Sequence, residues 1–158
     1  MTQEQKMFIN QAIELANENV KSGKGGPFGA IIVKNNKVIA TAVNTVTATN
    51  DPTAHAEINA IRIACDKLNS FQLADCEIYS SCEPCPMCLG AIYWSRAKKL
   101  YFAADKNDAA NAGFDDSFIY SEIELPIIRR KLSTQLLNIE NKLEPFQLWQ
   151  NQQSKIDY

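Results

Sequence analysis

The chain has 158 residues, 46% of them hydrophobic and 22% charged, with sixteen Lys+Arg against eighteen Asp+Glu. That length and balance describe one soluble domain, residues 1–158, able to bury its own core; they argue against a polyanion such as nucleic acid as partner, because no basic excess is available to neutralise phosphates. The first ten residues, MTQEQKMFIN, lack an apolar signal region and no apolar run is long enough to span a bilayer, so a cytoplasmic protein without membrane contact is expected.

Residues 3–21 carry Ile9, Ala12, Ile13, Ala16 and Val20 at helical spacing and predict an amphipathic helix, broken by the glycines and proline of SGKGGPFG. AIIVK and KVIATAVN then read as two strands joined at Asn35-Asn36, residues that tolerate the positive φ of a tight hairpin. A polar connection, 45–53, leads to a helix with a stripe of Glu57, Ile61, Ala64, Cys65 and Leu68. EIYSS reads as a buried strand, PMCLGAIYWSRA as a third helix and KKLYFAA as another strand. Beyond Asp105 the pattern weakens: DAANAGFDDSFIY reads as loop, IIRRKLSTQLL is ambiguous, and PFQLWQNQQSKIDY reads as a short helix and tail. Strand–helix–strand units imply parallel neighbours with right-handed crossovers. Two crossovers in one direction put the second and third helices on one face, with both N-termini at the same edge of the sheet. His55, the chain's single histidine, is thereby brought near Cys85 and Cys88.

Five cysteines are present, and Cys82, Cys85 and Cys88 fall within seven residues. Such clustering suits metal or redox chemistry in a reducing compartment better than a disulfide framework, which spreads and pairs its thiols. Cys85 and Cys88 share one face of a helical turn, and a helix N-terminus favours their thiolates. With the His55 imidazole they make three zinc ligands, which leaves the fourth position to water or hydroxide, as in catalytic sites. Glu57 beside that water is a candidate proton carrier. His55 and Glu57, two apart, converge only if the helix starts between them; Asp51-Pro52-Thr53 is chemistry suited to such a start. Three other readings of these residues stay open: a redox Cys-x-x-Cys pair, a fragment of an iron–sulfur run whose next expected position is Ile92, and a closed structural zinc site completed by Cys82. The last of these would make the protein a zinc-stabilised binding module without catalysis. Cys65 and Cys76 read as small core residues.

His55-Ala56-Glu57 followed by Pro84-Cys85-Pro86-Met87-Cys88 is the H-x-E, P-C-x-x-C pattern of zinc nucleobase deaminases. GGPFGAIIVK, NDPTAHAE, SCEPCPMCLGAIYW and AGFDDSFIY extend the similarity over nearly the whole chain, which resembles bacterial guanine deaminases of the Bacillus type within the cytidine-deaminase superfamily. The resemblance implies an α/β fold, a three-layer α/β/α sandwich around a mixed five-stranded sheet, in a homodimer whose C-terminal segment, about 140–158, is exchanged between subunits. It implies one Zn2+ per subunit on His55, Cys85 and Cys88, proton transfer by Glu57, and hydrolysis of guanine to xanthine and ammonia, with cytosine and tRNA adenosine as the alternative substrates of the same zinc site. It further implies base contacts from Asn44, Ala56 and Asp116, a pocket wall from Phe28 and Trp94, and a cover from Tyr158.

Overall fold

The computed structural model describes residues 1–157. Two compact units are present, Met1–Ser117 and Phe118–Tyr158. In the first, helix α1 (Gln3–Lys21) starts at a reciprocal cap: the Thr2 hydroxyl accepts from the Gln5 backbone N–H, and the Gln5 side chain accepts from that of Thr2. Strands β1 (Gly29–Lys34) and β2 (Lys37–Val43) form the expected hairpin, with Asn35 and Asn36 at φ 51° and 58°. The short α2 (Val46–Thr49) occupies part of the polar connection, followed by α3 (Ala56–Leu68), β3 (Cys76–Cys82), α4 (Pro86–Trp94) and β4 (Lys99–Ala104). α4 ends three residues before the expected Ala97, because Arg96 takes a left-handed conformation at φ 58°.

The sheet is mixed but has four strands, in the order β2-β1-β3-β4, where five were expected. A strand exists only through a ladder partner, and no further strand forms among the described residues after Ala104; residues 132–139 are exposed and make no ladder. β1 lies antiparallel to both β2 and β3, while β3 and β4 are parallel. The crossover through α3 therefore steps over β1 rather than joining neighbours. Since β2 and β3 point the same way, 45–53 has no need to recross the sheet.

Alternation along the strands divides the core. Ala30, Ile32, Ala40 and Ile78 face α3 and α4, where they meet Ala56, Ala60, Ala64 and Ile92. Ile31, Val33 and Tyr79 face α1 and pack on Phe8. This gives the three layers, with α3 and α4 on one face as predicted. The buried side of α1 is Phe8, Ala12, Ala16 and Asn19, so the stripe is rotated from the sequence expectation: Val20 is exposed and the polar Asn19 points inward. Beyond β4, α5 (Lys106–Asn111) forms where a loop was expected. Asp105 caps it by accepting from Asn107 and Asp108, and Asp108 returns a bond to the Asp105 N–H.

The second unit holds all but the first residue of α6 (Ser117–Glu124), short 3-10 turns at Ile127–Arg129 and Glu140–Leu143, and α7 (Glu144–Asn151). None of its described residues is buried, and large apolar side chains such as Leu136 (84% exposed) and Phe146 (66%) stand in the open. Among the described residues, no helix is long and apolar enough to cross a membrane.

The approach of α1 to β1 is set by Gly29, where an added Cβ would lie 2.3 Å from the Ala12 carbonyl oxygen and 2.8 Å from the Ala16 nitrogen. Gly29→Ala is expected to destabilise the protein by about 2 kcal/mol in urea unfolding; a change within about 0.5 kcal/mol of zero would contradict this packing.

Candidate metal centre and pocket

His55 and Cys85 are the N-cap residues of α3 and α4, each with extended dihedrals (φ −71°, ψ 157° and φ −63°, ψ 167°). The non-helical geometry needed for His55 and Glu57 to converge is thus present, and Pro86 starts α4 at the position where a missing N–H costs nothing. Upstream, Asp51 Oδ1 accepts from the Thr53 N–H and hydroxyl, shaping the turn into His55. Asn59, one turn into α3, donates to the Val43 and Ala54 carbonyls and to the Thr45 hydroxyl, tying the end of β2 to the segment that delivers His55.

His55 Nδ1 lies 3.6 Å from Cys85 Sγ and 3.5 Å from Cys88 Sγ. All three donor atoms fall within 4.8 Å of one another. Tetrahedral zinc with ordinary bond lengths separates a nitrogen and a sulfur ligand by roughly 3.6 Å, so the donor set and its spacing fit this ion. Cys82 does not join the cluster; its thiol donates to the Asp105 carbonyl at 3.6 Å, and burial pushes its pKa up to about 11. The closed four-ligand reading therefore lacks its fourth ligand.

Glu57, 6% exposed, lies beside the sulfurs: the Cys88 thiol donates to Oε2 at 3.5 Å. Burial raises the Glu57 pKa, with the backbone bond and the Cys88 thiol opposing the rise. The bond from Cys88, helped by His55, brings the Cys85 thiol down to about 4, while the same bond and burial push Cys88 far up. His55 is raised by its contact with the Cys85 sulfur. Two thiols, an imidazole and a carboxyl thus share few protons, and these are what a divalent cation displaces on binding.

A cavity of about 540 Å³ opens over the cluster, a size common for small-molecule sites. His55, Glu57, Asn44, Phe28 and Asp116 line it. Burial, then the negative Cys85, raises the Asp116 pKa. Ala56 is fully buried in the core at the first turn of α3. Trp94 is 63% exposed and does not line the cavity; it stands at the opposite end of α4, about 12 Å along the axis from the ligands. Tyr158 lies outside the described residues. The lining also includes Phe114, Lys106, Glu83 and the glycine turn at Gly25 and Gly26, none of which the sequence reading assigned. Phe114 meets Phe28 edge to face at 4.9 Å and is adjacent to the DDSF motif, the one signal that could have pointed to it.

Residues 2–104 match the cytidine and deoxycytidylate deaminase zinc-binding region, and the chain belongs to that family of zinc-dependent hydrolytic deaminases. It is similar to the guanine deaminase of Bacillus subtilis, 54% identical over 96% of this chain and 97% of that one. The crystal structure of guanine deaminase from that organism superposes with a TM-score of 0.96 and 52% identity, covering 100% of this chain and 99% of the other. A tRNA-specific adenosine deaminase of Aquifex aeolicus is 44% identical, over 61% of this chain and 64% of its own.

In the metal-free protein, iodoacetamide should modify Cys85 first. Its rate should be nearly flat between about pH 5 and about pH 8, since a thiol already ionised gains nothing from higher pH, and zinc should suppress it. Equal early modification of Cys82 or Cys65 would contradict the proton distribution. Cys82→Ser should retain one zinc per chain in metal analysis; loss of zinc would restore the four-ligand reading.

Proposed function

We propose that this protein hydrolyses guanine to xanthine and ammonia, using His55, Cys85 and Cys88 as zinc ligands and Glu57 as the proton carrier. The similarity to guanine deaminase supports the substrate, because it is 54% identical over 96% of the chain and extends through the second unit, whereas the tRNA deaminase of Aquifex aeolicus is 44% identical over 61%. A formal net charge of −2 also offers little to a tRNA backbone.

Zinc held there supplies Lewis acidity that makes water a competent nucleophile near neutral pH. Glu57 accepts one proton from the attacking water and passes it to a ring nitrogen, then takes the remaining proton of the added hydroxyl and delivers it to the departing amine, which leaves as ammonia. Its burial suits this work, because a carboxylate taken out of water accepts a proton more readily than an exposed one. Asn44 and Asp116 hold the base by hydrogen bonds, and Phe28 supplies an apolar wall. Ala56 acts through the backbone at the start of α3. Trp94 and Tyr158 would act where a second subunit completes the pocket.

A homodimer that exchanges the segment 140–158 would account for the large exposed apolar residues of the second unit, such as Leu136 and Phe146. The five free cysteines accord with a cytoplasmic protein.

A panel of guanine, cytosine, adenine and a tRNA anticodon stem assayed for ammonia release tests the substrate. Guanine should be turned over fastest, and preference for cytosine or tRNA adenosine would reject the proposal. Glu57→Ala should keep zinc and lose about a thousandfold or more in kcat; zinc-loaded protein with activity near wild type would remove Glu57 from its role. Asp116→Ala should raise KM for guanine with zinc content unchanged. An unaltered kcat/KM would remove that contact.

A further inference from the structure

Asn19 is the polar member of the buried face of α1, only 5% exposed. Its side-chain amide spends both hydrogens on carbonyls of two pocket segments: Asn44 at 2.8 Å and Gly26 at 2.9 Å. Asn44 Oδ1 in turn accepts from the backbone N–H of Gly26 at 3.4 Å and of Val46 at 3.3 Å. With that oxygen occupied by two donors, the NH2 end is what the Asn44 side chain offers the cavity it lines. Gly25 closes the arrangement: a Cβ there would lie 2.1 Å from the Asn44 carbonyl oxygen and 2.8 Å from Asn19 Nδ2.

We infer that Asn19 is a positioning residue for nucleobase recognition: by joining the Asn44 and Gly26 carbonyls it holds the Asn44 amide as a donor toward an acceptor atom of the base. The inference rests on the reading of Asn44 as a substrate contact. Removing the Asn19 amide leaves the buried Asn44 carbonyl without that donor and the Gly26 carbonyl with only the Phe28 N–H, so the tie between the loop and the strand end loosens. The Asn44 side chain then loses its fixed direction, and base binding weakens. Turnover of bound base is spared, because His55, Glu57, Cys85 and Cys88 sit on α3 and α4 and are held by other bonds.

Steady-state kinetics with guanine on Asn19→Ala, Asn44→Ala and the double variant test this, with zinc content measured on each. Asn19→Ala is expected to raise KM about tenfold, the loss of one buried hydrogen bond, with kcat within about twofold and one zinc per chain. In the double variant, Asn19→Ala should add no further rise to that of Asn44→Ala, since the first acts through the second. Asn19→Ser serves where the alanine variant folds poorly, and Gly25→Ala, which drives the same carbonyl away from the other side, should raise KM in the same direction. An unchanged KM in folded, zinc-loaded Asn19 variants, or effects that multiply in the double variant, would overturn the inference. Unchanged KM in Asn44→Ala would overturn it by a different route, by removing the substrate contact itself.

Discussion

Two helix N-termini meet at one edge of the sheet, and each brings a metal-binding side chain on its capping residue. His55 and Cys85 both hold extended dihedrals just before their helices begin, so each projects ahead of its helix rather than along its flank. The positive ends of two helix dipoles converge there, which favours the sulfur anions that zinc requires. Cys88, one turn into α4, and Glu57, in the first turn of α3, complete the group. Nothing else in the fold provides this juxtaposition; it follows from two successive crossovers that pack α3 and α4 on the same face.

The surrounding structure serves to keep these ends in register with a pocket. Asn59 fixes the end of β2 to the approach to His55, and Asn19 fixes the same strand end to the glycine turn. Asn44 lies between those two anchors. Buried amides suit such work because their bonds are directional and their loss is not made good by solvent. On the proposed reading the chemistry falls to α3 and α4, and recognition to loops held from α1 and α3. A division of that kind explains how one zinc centre can serve relatives named for different substrates.

Much of this was legible in the sequence because the informative residues are close together. His55-Ala56-Glu57 and Cys85-Pro86-Met87-Cys88 name their own chemistry, and Asp51-Pro52-Thr53 and Pro86 mark the two helix starts. Strand order was not legible: the insertion of β1 between β2 and β3 is a tertiary choice with no local signal. α5 was missed because six residues are too few to show a period, although its Asp105–Asp108 cap could have been noticed. Asn19 was hidden by Val20, whose hydrophobicity drew the stripe one position too far. The expected fifth strand came from resemblance alone, and no ladder in the described residues supports it.

The central claim is that three protein atoms, and no fourth, hold the zinc. X-ray absorption at the zinc edge of the purified protein measures this directly. The account predicts two sulfur neighbours at about 2.3 Å and two nitrogen or oxygen neighbours at about 2.0 Å. Three or four sulfur neighbours would contradict it, since a closed shell leaves no place for the water that the reaction consumes.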